Sequence, residues 1–151
     1  MHFSKSIRRE HGHYEDRSAW FHLSIRSHPE VGRFDPAVTE AVWAVVIAEV
    51  PLGRVEVAAA CLMPDHIHLL VSPRSMDLIR WLNSWKSIAT RQAWAYGHHA
   101  ALWQPGMWDR TIRTMDEFEQ VVEYIRSNPV AAGLCEASSE WPFLFVERKW
   151  G

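Results

Sequence analysis

Apolar residues recur at every second position in two stretches of the chain, AWFHLSIRS (residues 19–27) and HIHLLVSP (66–73). This period of two is typical of strands that bury one face in a core. A third, mostly apolar run, RVEVAAACLM (54–63), leads into the second stretch through Met63-Pro64-Asp65. Proline followed by aspartate suits a tight turn, because the ring presets φ and the carboxylate can accept a backbone hydrogen bond. We therefore predict three strands, of which the last two are antiparallel neighbours.

Two helices are predicted between and after these strands. The first begins at Asp35, a residue type that caps helices, has proline at its first position, and continues until Pro51 and Gly53 stop it. The second follows Ser75, its predicted cap, and covers MDLIRWLNSWKSIATRQAWAY (76–96). Its apolar residues share one broad arc, which we expect to pack on the sheet.

A capping box predicts the start of a third helix, because Thr114 is followed three residues later by Glu117. This helix is expected to end at Asn128, since a residue that precedes proline is pushed out of the α region. Between the second and third helices, residues 96–113 contain Gly, Pro and paired His, and they predict a loop with short extended pieces.

A single α+β domain over residues 1–151 accommodates this order of strands and helices. Residues 1–17 read as an N-terminal arm, and the aromatic tail, residues 143–151, is expected to add an edge strand or to cover the core. The two cysteines form no CxxC pair, which fits a reducing cytoplasm. Because no apolar run is long enough to span a bilayer, we expect a soluble, cytoplasmic protein with no membrane segment.

A net charge of −2 gives no global support for nucleic-acid binding, but the charge is unevenly distributed. Residues 74–113 carry six basic and two acidic side chains. This excess is either ordinary surface charge or part of a face that binds a polyanion. The candidate DNA-binding residues are a stripe on the second helix, two later arginines and two tryptophans that could stack on bases: Arg80, Ser84, Ser87, Arg91, Arg110, Arg113, Trp103 and Trp108. A solvated helix face and core tryptophans are the alternative interpretations.

Two histidines two residues apart, His66 and His68, leave one face of their predicted strand about 6.5–7 Å apart at the Cα atoms. They are either metal ligands or residues that satisfy local hydrogen bonds. Tyr124 and Asn128 lie one helical turn apart on the third helix. Two imidazoles and an amide oxygen would suit Mg²⁺ or Mn²⁺ acting on a phosphate, with Tyr124 as nucleophile. Alternatively, Tyr124 is a boundary core residue.

Two segments carry a resemblance to a known family: CLMPDHIHLLVSP, and LWQPGMWDRTIRTMDEFEQVVEYIRSNPVAAGLC. They closely resemble the single-tyrosine HUH transposases, specifically the bacterial REP-associated tyrosine transposases, over residues 19–142. The resemblance implies a ferredoxin-like antiparallel sheet with packed helices and the His-hydrophobic-His motif on a central strand. It also implies that His66, His68 and Asn128 are metal ligands and that Tyr124 is the nucleophile.

The implied activity is metal-dependent cleavage of single-stranded DNA near a hairpin or repeat, through a 5′-phosphotyrosine, followed by strand transfer. Two other functions stay open. One is a domesticated protein that binds hairpin or repeat DNA without cutting it, and the other is a small-molecule phosphoesterase. The sequence is compatible with a monomer or a homodimer, and Tyr124 could complete the site of its own chain or of a partner.

Overall fold

The structure, a computed structural model, describes residues 19–98 and 100–151. Within these ranges, five strands and three α-helices follow one another along the chain. They are β1 (Trp20–Arg26), α1 (Pro36–Leu52), β2 (Val55–Met63), β3 (His66–Pro73), α2 (Leu78–Ala95), β4 (Trp108–Ile112), α3 (Met115–Ala131) and β5 (Leu144–Val146). None of these helices is long and apolar enough to cross a bilayer. The predicted N-terminal arm, residues 1–17, lies outside the described residues.

The strands form one antiparallel sheet in the order β4-β1-β3-β2-β5. The strand that carries His66 and His68 is therefore central, as predicted. The tight turn makes β2 and β3 neighbours, with Met63 opposite His66. The tail supplies β5, which pairs with the outer edge of β2. This topology surrounds the two histidines with hydrogen-bonded strands on both sides.

Helices cover both faces of the sheet. α1 and α2 pack on one face, where β1 and β3 supply alternate apolar side chains: Phe21, Leu23, Ile25, Ile67, Leu69 and Val71. α3 and the C-terminal segment pack on the other face, against Leu70 of β3 and two small residues of β2, Ala59 and Cys61. Because side chains alternate along a strand, His66 and His68 lie on the α3 face.

A buried carboxylate connects α1 to α2 and to the start of β2. Glu49 of α1 is only 3% exposed. It accepts hydrogen bonds from the Arg54 guanidinium, at 2.7 and 3.0 Å, and from the indole N–H of Trp81, at 3.0 Å. Arg54 also donates to the Ser84 hydroxyl at 3.3 Å. The charge of Glu49 is thus paired in a region where an unpaired charge would be costly.

The helix caps are only partly as predicted. The prediction that Ser75 caps α2 is wrong, because Asp77 does so, two residues nearer the first turn. Carboxylates and hydroxyls both cap helices well, so residue type alone could not separate the two candidates. Asp35 precedes α1 but its side chain makes no capping bond. Thr114 caps α3 as predicted, since its hydroxyl accepts from the backbone N–H of Glu117 at 3.1 Å.

Two prolines lie inside helices rather than at their ends. α3 does not end at Asn128, as predicted, but continues through Pro129 to Ala131. α1 likewise runs one residue past Pro51 before Gly53 ends it in the left-handed conformation, at φ 67°. A proline removes one backbone hydrogen bond from a helix, and the Pro129 ring is buried in the packed stripe of α3. Asn128 is therefore an internal residue of α3.

Candidate active site

The central strand β3 carries the two predicted histidine ligands beneath α3. His68 lies near the middle of the sheet and is 1% exposed, whereas His66 is half-buried at the start of the strand. Their ring centroids are 4.9 Å apart. The neighbouring strand β1 places a third imidazole, that of His22, on the same face, where it is 2% exposed. Three histidine rings thus lie together on one face of the sheet.

Both histidines among the predicted ligands have their Nδ1 atom engaged by another side chain. His66 Nδ1 is 2.7 Å from the carboxylate of Asp65. His68 Nδ1 is 3.1 Å from Nε2 of His22. Partners of this kind orient metal-binding histidines, because they fix the ring and its tautomer. The hydrogen bonds therefore give both rings the fixed orientation that a ligand pair requires.

Burial keeps the His22 and His68 rings neutral at pH 7. Burial, together with the positive charge of Arg110, lowers the pKa of His22 to about 4. Burial also lowers the pKa of His68 well below its usual value, and the rings of His22 and His66 add to this effect. A neutral imidazole has the lone pair that metal coordination needs.

The buried stripe of α3 brings Tyr124 to these histidines. Its apolar residues pack on the sheet and leave Tyr124 at the edge of the stripe, 39% exposed: they are Phe118, Val121, Val122 and Ile125. The Tyr124 ring makes edge contacts with His68, at a centroid distance of 5.4 Å, and with His22, at 5.8 Å. The candidate nucleophile is therefore adjacent to a candidate ligand of the same chain.

Two imidazoles and one amide oxygen would form a mixed nitrogen and oxygen donor set for a divalent cation. Across residues 19–98 and 100–151, no three His, Cys, Asp or Glu side chains converge as a metal site. A complete site would therefore need a donor of another type beside His66 and His68. Asn128 offers an amide oxygen, is half-buried, and lies about 6 Å along α3 from Tyr124 on the same side of the helix. A divalent cation held by two imidazole nitrogens and one oxygen would still need oxygen ligands from a substrate or from water.

Three of the predicted DNA-binding residues lie on the same side of the sheet as the histidines, or next to it. The Trp108 ring contacts His22 at a centroid distance of 4.9 Å. Arg110 is opposite His22 in the β1–β4 register and is exposed. Arg113 is exposed between β4 and α3. Trp108 and Tyr124 thus contact His22, and two exposed arginines lie on β4 and directly after it.

The other predicted DNA-binding residues lie elsewhere. α2 packs on the opposite face of the sheet, so Arg80, Ser87 and Arg91 are exposed on the far side of the molecule from Tyr124. Ser84 accepts a hydrogen bond from Arg54. The prediction that Trp103 stacks on DNA bases is wrong. Its side chain is 5% exposed and packs on Phe34 and Trp85 in the core.

Sequence reasoning did not include His22 or Asp65 in the site. Asp65 directly precedes His66, so the sequence alone could have suggested its carboxylate as a hydrogen-bond partner of the His66 ring. His22 falls among the polar positions of β1, but its contact with His68 depends on which strand lies beside β3. That neighbour comes from distant parts of the chain, and the sequence pattern does not specify it.

A family model described as Transposase IS200 like matches residues 16–128, most of the chain. The chain belongs to the IS200-like transposase family. It is 32% identical to the REP-associated tyrosine transposase of Escherichia coli K12, over 62% of this chain and 55% of that protein. It is also 32% identical to a Haemophilus influenzae protein provisionally given the same name, over 62% of this chain and 60% of that protein.

The chain therefore spans less than two thirds of the length of these two transposases. The resemblance to REP-associated tyrosine transposases that the two motifs indicated is nevertheless confirmed.

Solved structures share the fold of this member of the IS200-like family. One, described as a REP-associated tyrosine transposase bound to a REP hairpin, has a TM-score of 0.72 and 24% identity, and covers 93% of this chain and 82% of that one. Another, a provisionally named transposase of Deinococcus radiodurans, has a TM-score of 0.52 and 18% identity, over 70% and 87% of the two chains. The predicted α+β fold, a ferredoxin-like antiparallel sheet with the histidine motif on a central strand, is confirmed.

Proposed function

We propose that this chain is a metal-dependent endonuclease and strand transferase for single-stranded DNA. It nicks near hairpin or repeat sequences, with Tyr124 as nucleophile and with His66, His68 and Asn128 as the residues that hold Mg²⁺ or Mn²⁺. The observation that carries the proposal is the edge contact between the rings of Tyr124 and His68, at 5.4 Å between centroids. This contact brings the nucleophile beside the residues that would hold the metal.

The chemical step is a transesterification that conserves the number of phosphodiester bonds. The Tyr124 hydroxyl loses its proton and forms an O–P bond, while the bond from phosphorus to the 3′ oxygen breaks and that oxygen takes up a proton. The products are a 5′-phosphotyrosine and a free 3′-OH. A bound divalent cation would polarise the phosphate and offset its developing charge. Because a phenolate is a fair leaving group, a 3′-OH can reverse the step and rejoin strands.

The contacts of α3 favour a site completed within one chain. Its buried stripe packs on the sheet of its own chain, and Phe118 contacts Trp20 and Trp150 at centroid distances of 5.0 and 4.6 Å. Tyr124 faces His22 and His68 of the same chain. We therefore propose that Tyr124 acts in cis and that a monomer is sufficient for the nick.

A labelling experiment tests the proposed function. A pool of hairpins with single-stranded flanks, labelled at the 5′ end in one reaction and at the 3′ end in another, is incubated with the protein and Mn²⁺. A 5′-phosphotyrosine retains the strand on the 3′ side of the nick, so only the 3′ label should stay with the denatured protein. Peptide mapping should place the DNA on Tyr124.

Three other outcomes would contradict the proposal. Retention of the 5′ label would mean the opposite polarity of cleavage, and an adduct on another residue would remove Tyr124 from the chemistry. Salt-sensitive hairpin binding with no adduct in Mg²⁺ or Mn²⁺ would identify a non-cleaving DNA-binding protein.

We further propose that the DNA follows the face formed by Trp108, Arg110 and Arg113. Trp108 offers an aromatic ring for stacking on an unpaired base, and the two arginines offer guanidinium groups to phosphates. The α2 stripe, whose arginines are Arg80 and Arg91, stays a second candidate. DNA held at Tyr124 would reach that stripe only if it passed around the edge of the sheet.

Two double variants, each of which removes two positive charges, test which face of the protein binds DNA. Arg110→Ala with Arg113→Ala is expected to weaken hairpin binding more than Arg80→Ala with Arg91→Ala. Loss of two phosphate contacts should also make the negative slope of log K against log salt shallower by about 1.5. Fluorescence anisotropy at several salt concentrations measures both quantities. A larger effect of the α2 pair would place the DNA on the opposite face of the protein.

A further inference from the structure

The hydrogen bond between two buried histidines assigns a role to His22. We propose that His22 is a positioning residue that holds His68 in the tautomer with its hydrogen on Nδ1, which leaves Nε2 of His68 with a lone pair that could coordinate a metal. This inference rests on the proposed function, since it concerns how a proposed ligand is prepared.

The geometry permits only two arrangements of the shared hydrogen. His22 Nε2 and His68 Nδ1 are 3.1 Å apart, which is a hydrogen-bond distance and leaves room for one hydrogen between them. Either His68 donates from Nδ1 and His22 accepts, or His22 donates from Nε2 and His68 accepts. In a neutral imidazole only one nitrogen carries a hydrogen, so the direction of the bond also sets the state of His68 Nε2.

Only one of these arrangements is compatible with a metal ligand. His68 Nδ1 faces His22 and has no space for a cation between the two rings, so Nε2 is the atom that can coordinate. If His22 donated, Nε2 of a neutral His68 would carry a hydrogen and could not coordinate. If His22 accepts, Nε2 has a lone pair. Metal binding by His68 Nε2 therefore requires the arrangement in which His68 donates from Nδ1 and His22 accepts.

The surroundings of His22 hold its ring in place. Its strand, β1, lies between β3 and β4 in the sheet. The Trp108 ring meets it edge-to-face at 4.9 Å, and the Tyr124 ring contacts it at 5.8 Å. His66 is oriented in the same manner by Asp65, at 2.7 Å. The two histidines proposed as ligands would thus each have an outer partner, a carboxylate for His66 and a neutral imidazole for His68.

The tautomer can be measured directly in the metal-free protein. Long-range ¹H–¹⁵N NMR spectra of the histidine rings should show the hydrogen of His68 on Nδ1 in the wild type. His22→Phe keeps an aromatic ring beside Trp108 and Tyr124 but removes the acceptor, so His68 should lose this preference. Titration of His22→Phe with Mn²⁺ should then show an affinity about 10- to 100-fold lower than that of the wild type. His22→Gln, which restores an acceptor near the position of Nε2, should bind Mn²⁺ close to the wild-type level.

The outcomes that would overturn the role of His22 are separate from failure of the proposed function. A hydrogen on Nε2 of wild-type His68, or a tautomer unchanged in His22→Phe, would overturn it. Equal loss of Mn²⁺ affinity in His22→Phe and His22→Gln would do so as well, because it would indicate a packing effect. If the tautomer depends on His22 but the wild type binds no Mn²⁺, the hydrogen-bond assignment stands and the metal-dependent function is contradicted.

Discussion

Replacing Tyr124 with phenylalanine is expected to lower covalent adduct formation by at least about a thousandfold, since it removes the nucleophilic oxygen. The substitution keeps the ring, and with it the edge contacts to His68 and His22. The fold and the affinity for hairpin DNA should therefore stay close to those of the wild type. Denaturing gels quantify the adduct, and anisotropy in the absence of metal quantifies binding.

Tyr96 provides a matched control for this substitution. It is 60% exposed and follows the end of α2, on the opposite face of the sheet from the histidines. Tyr96→Phe should form the adduct at the wild-type rate. If Tyr124→Phe and the wild type gave equal amounts of adduct, Tyr124 would not be the nucleophile, whatever the rate in Tyr96→Phe.

Glu49→Ala should lower the free energy of unfolding by about 3 kcal/mol, because it leaves the Arg54 guanidinium and the Trp81 N–H without their acceptor. The partial exposure of Arg54 places the expected cost at the lower end of the range for a broken buried pair. Urea unfolding followed by tryptophan fluorescence measures the change, and the chain has nine tryptophans to report it.

Glu40, an exposed residue of the same helix, is the control for this effect. Glu40→Ala removes the same charge from α1 and should change the free energy of unfolding by less than about 0.5 kcal/mol. Equal effects of the two substitutions would show that the buried hydrogen bonds contribute little. The response would then reflect only helix propensity and overall charge.

The sheet was largely predictable because its signal is local. Alternation in β1 and β3 identifies the buried faces, and Pro64-Asp65 makes β2 and β3 antiparallel neighbours. The end of α3 was not predictable from Pro129 alone. The steric rule for a residue before proline applies to every chain, whereas the burial of Pro129 depends on what α3 packs against.

In the candidate site, too, the features set by neighbouring residues were predictable from the sequence, and the contacts between distant segments were not. His66 and His68 share a face because they are two residues apart, and Tyr124 and Asn128 share a side of α3 because they are four apart. That His22 would contact His68 depends on the pairing of β1 with β3, which are separated by a whole helix and strand. The role of Trp103 was equally undetermined, since core packing and base stacking both favour tryptophan.

Small residues of β2 beneath α3 have a consequence for the chemistry. Ala59 and Cys61 are fully buried against the stripe of α3, so the backbone of the helix can approach the sheet closely. The height of α3 above the sheet sets how far Tyr124 stands from His68. The distance between Tyr124 and His68 therefore depends on the volume of two side chains of β2. These side chains take no part in the reaction, and β2 carries neither the nucleophile nor a ligand.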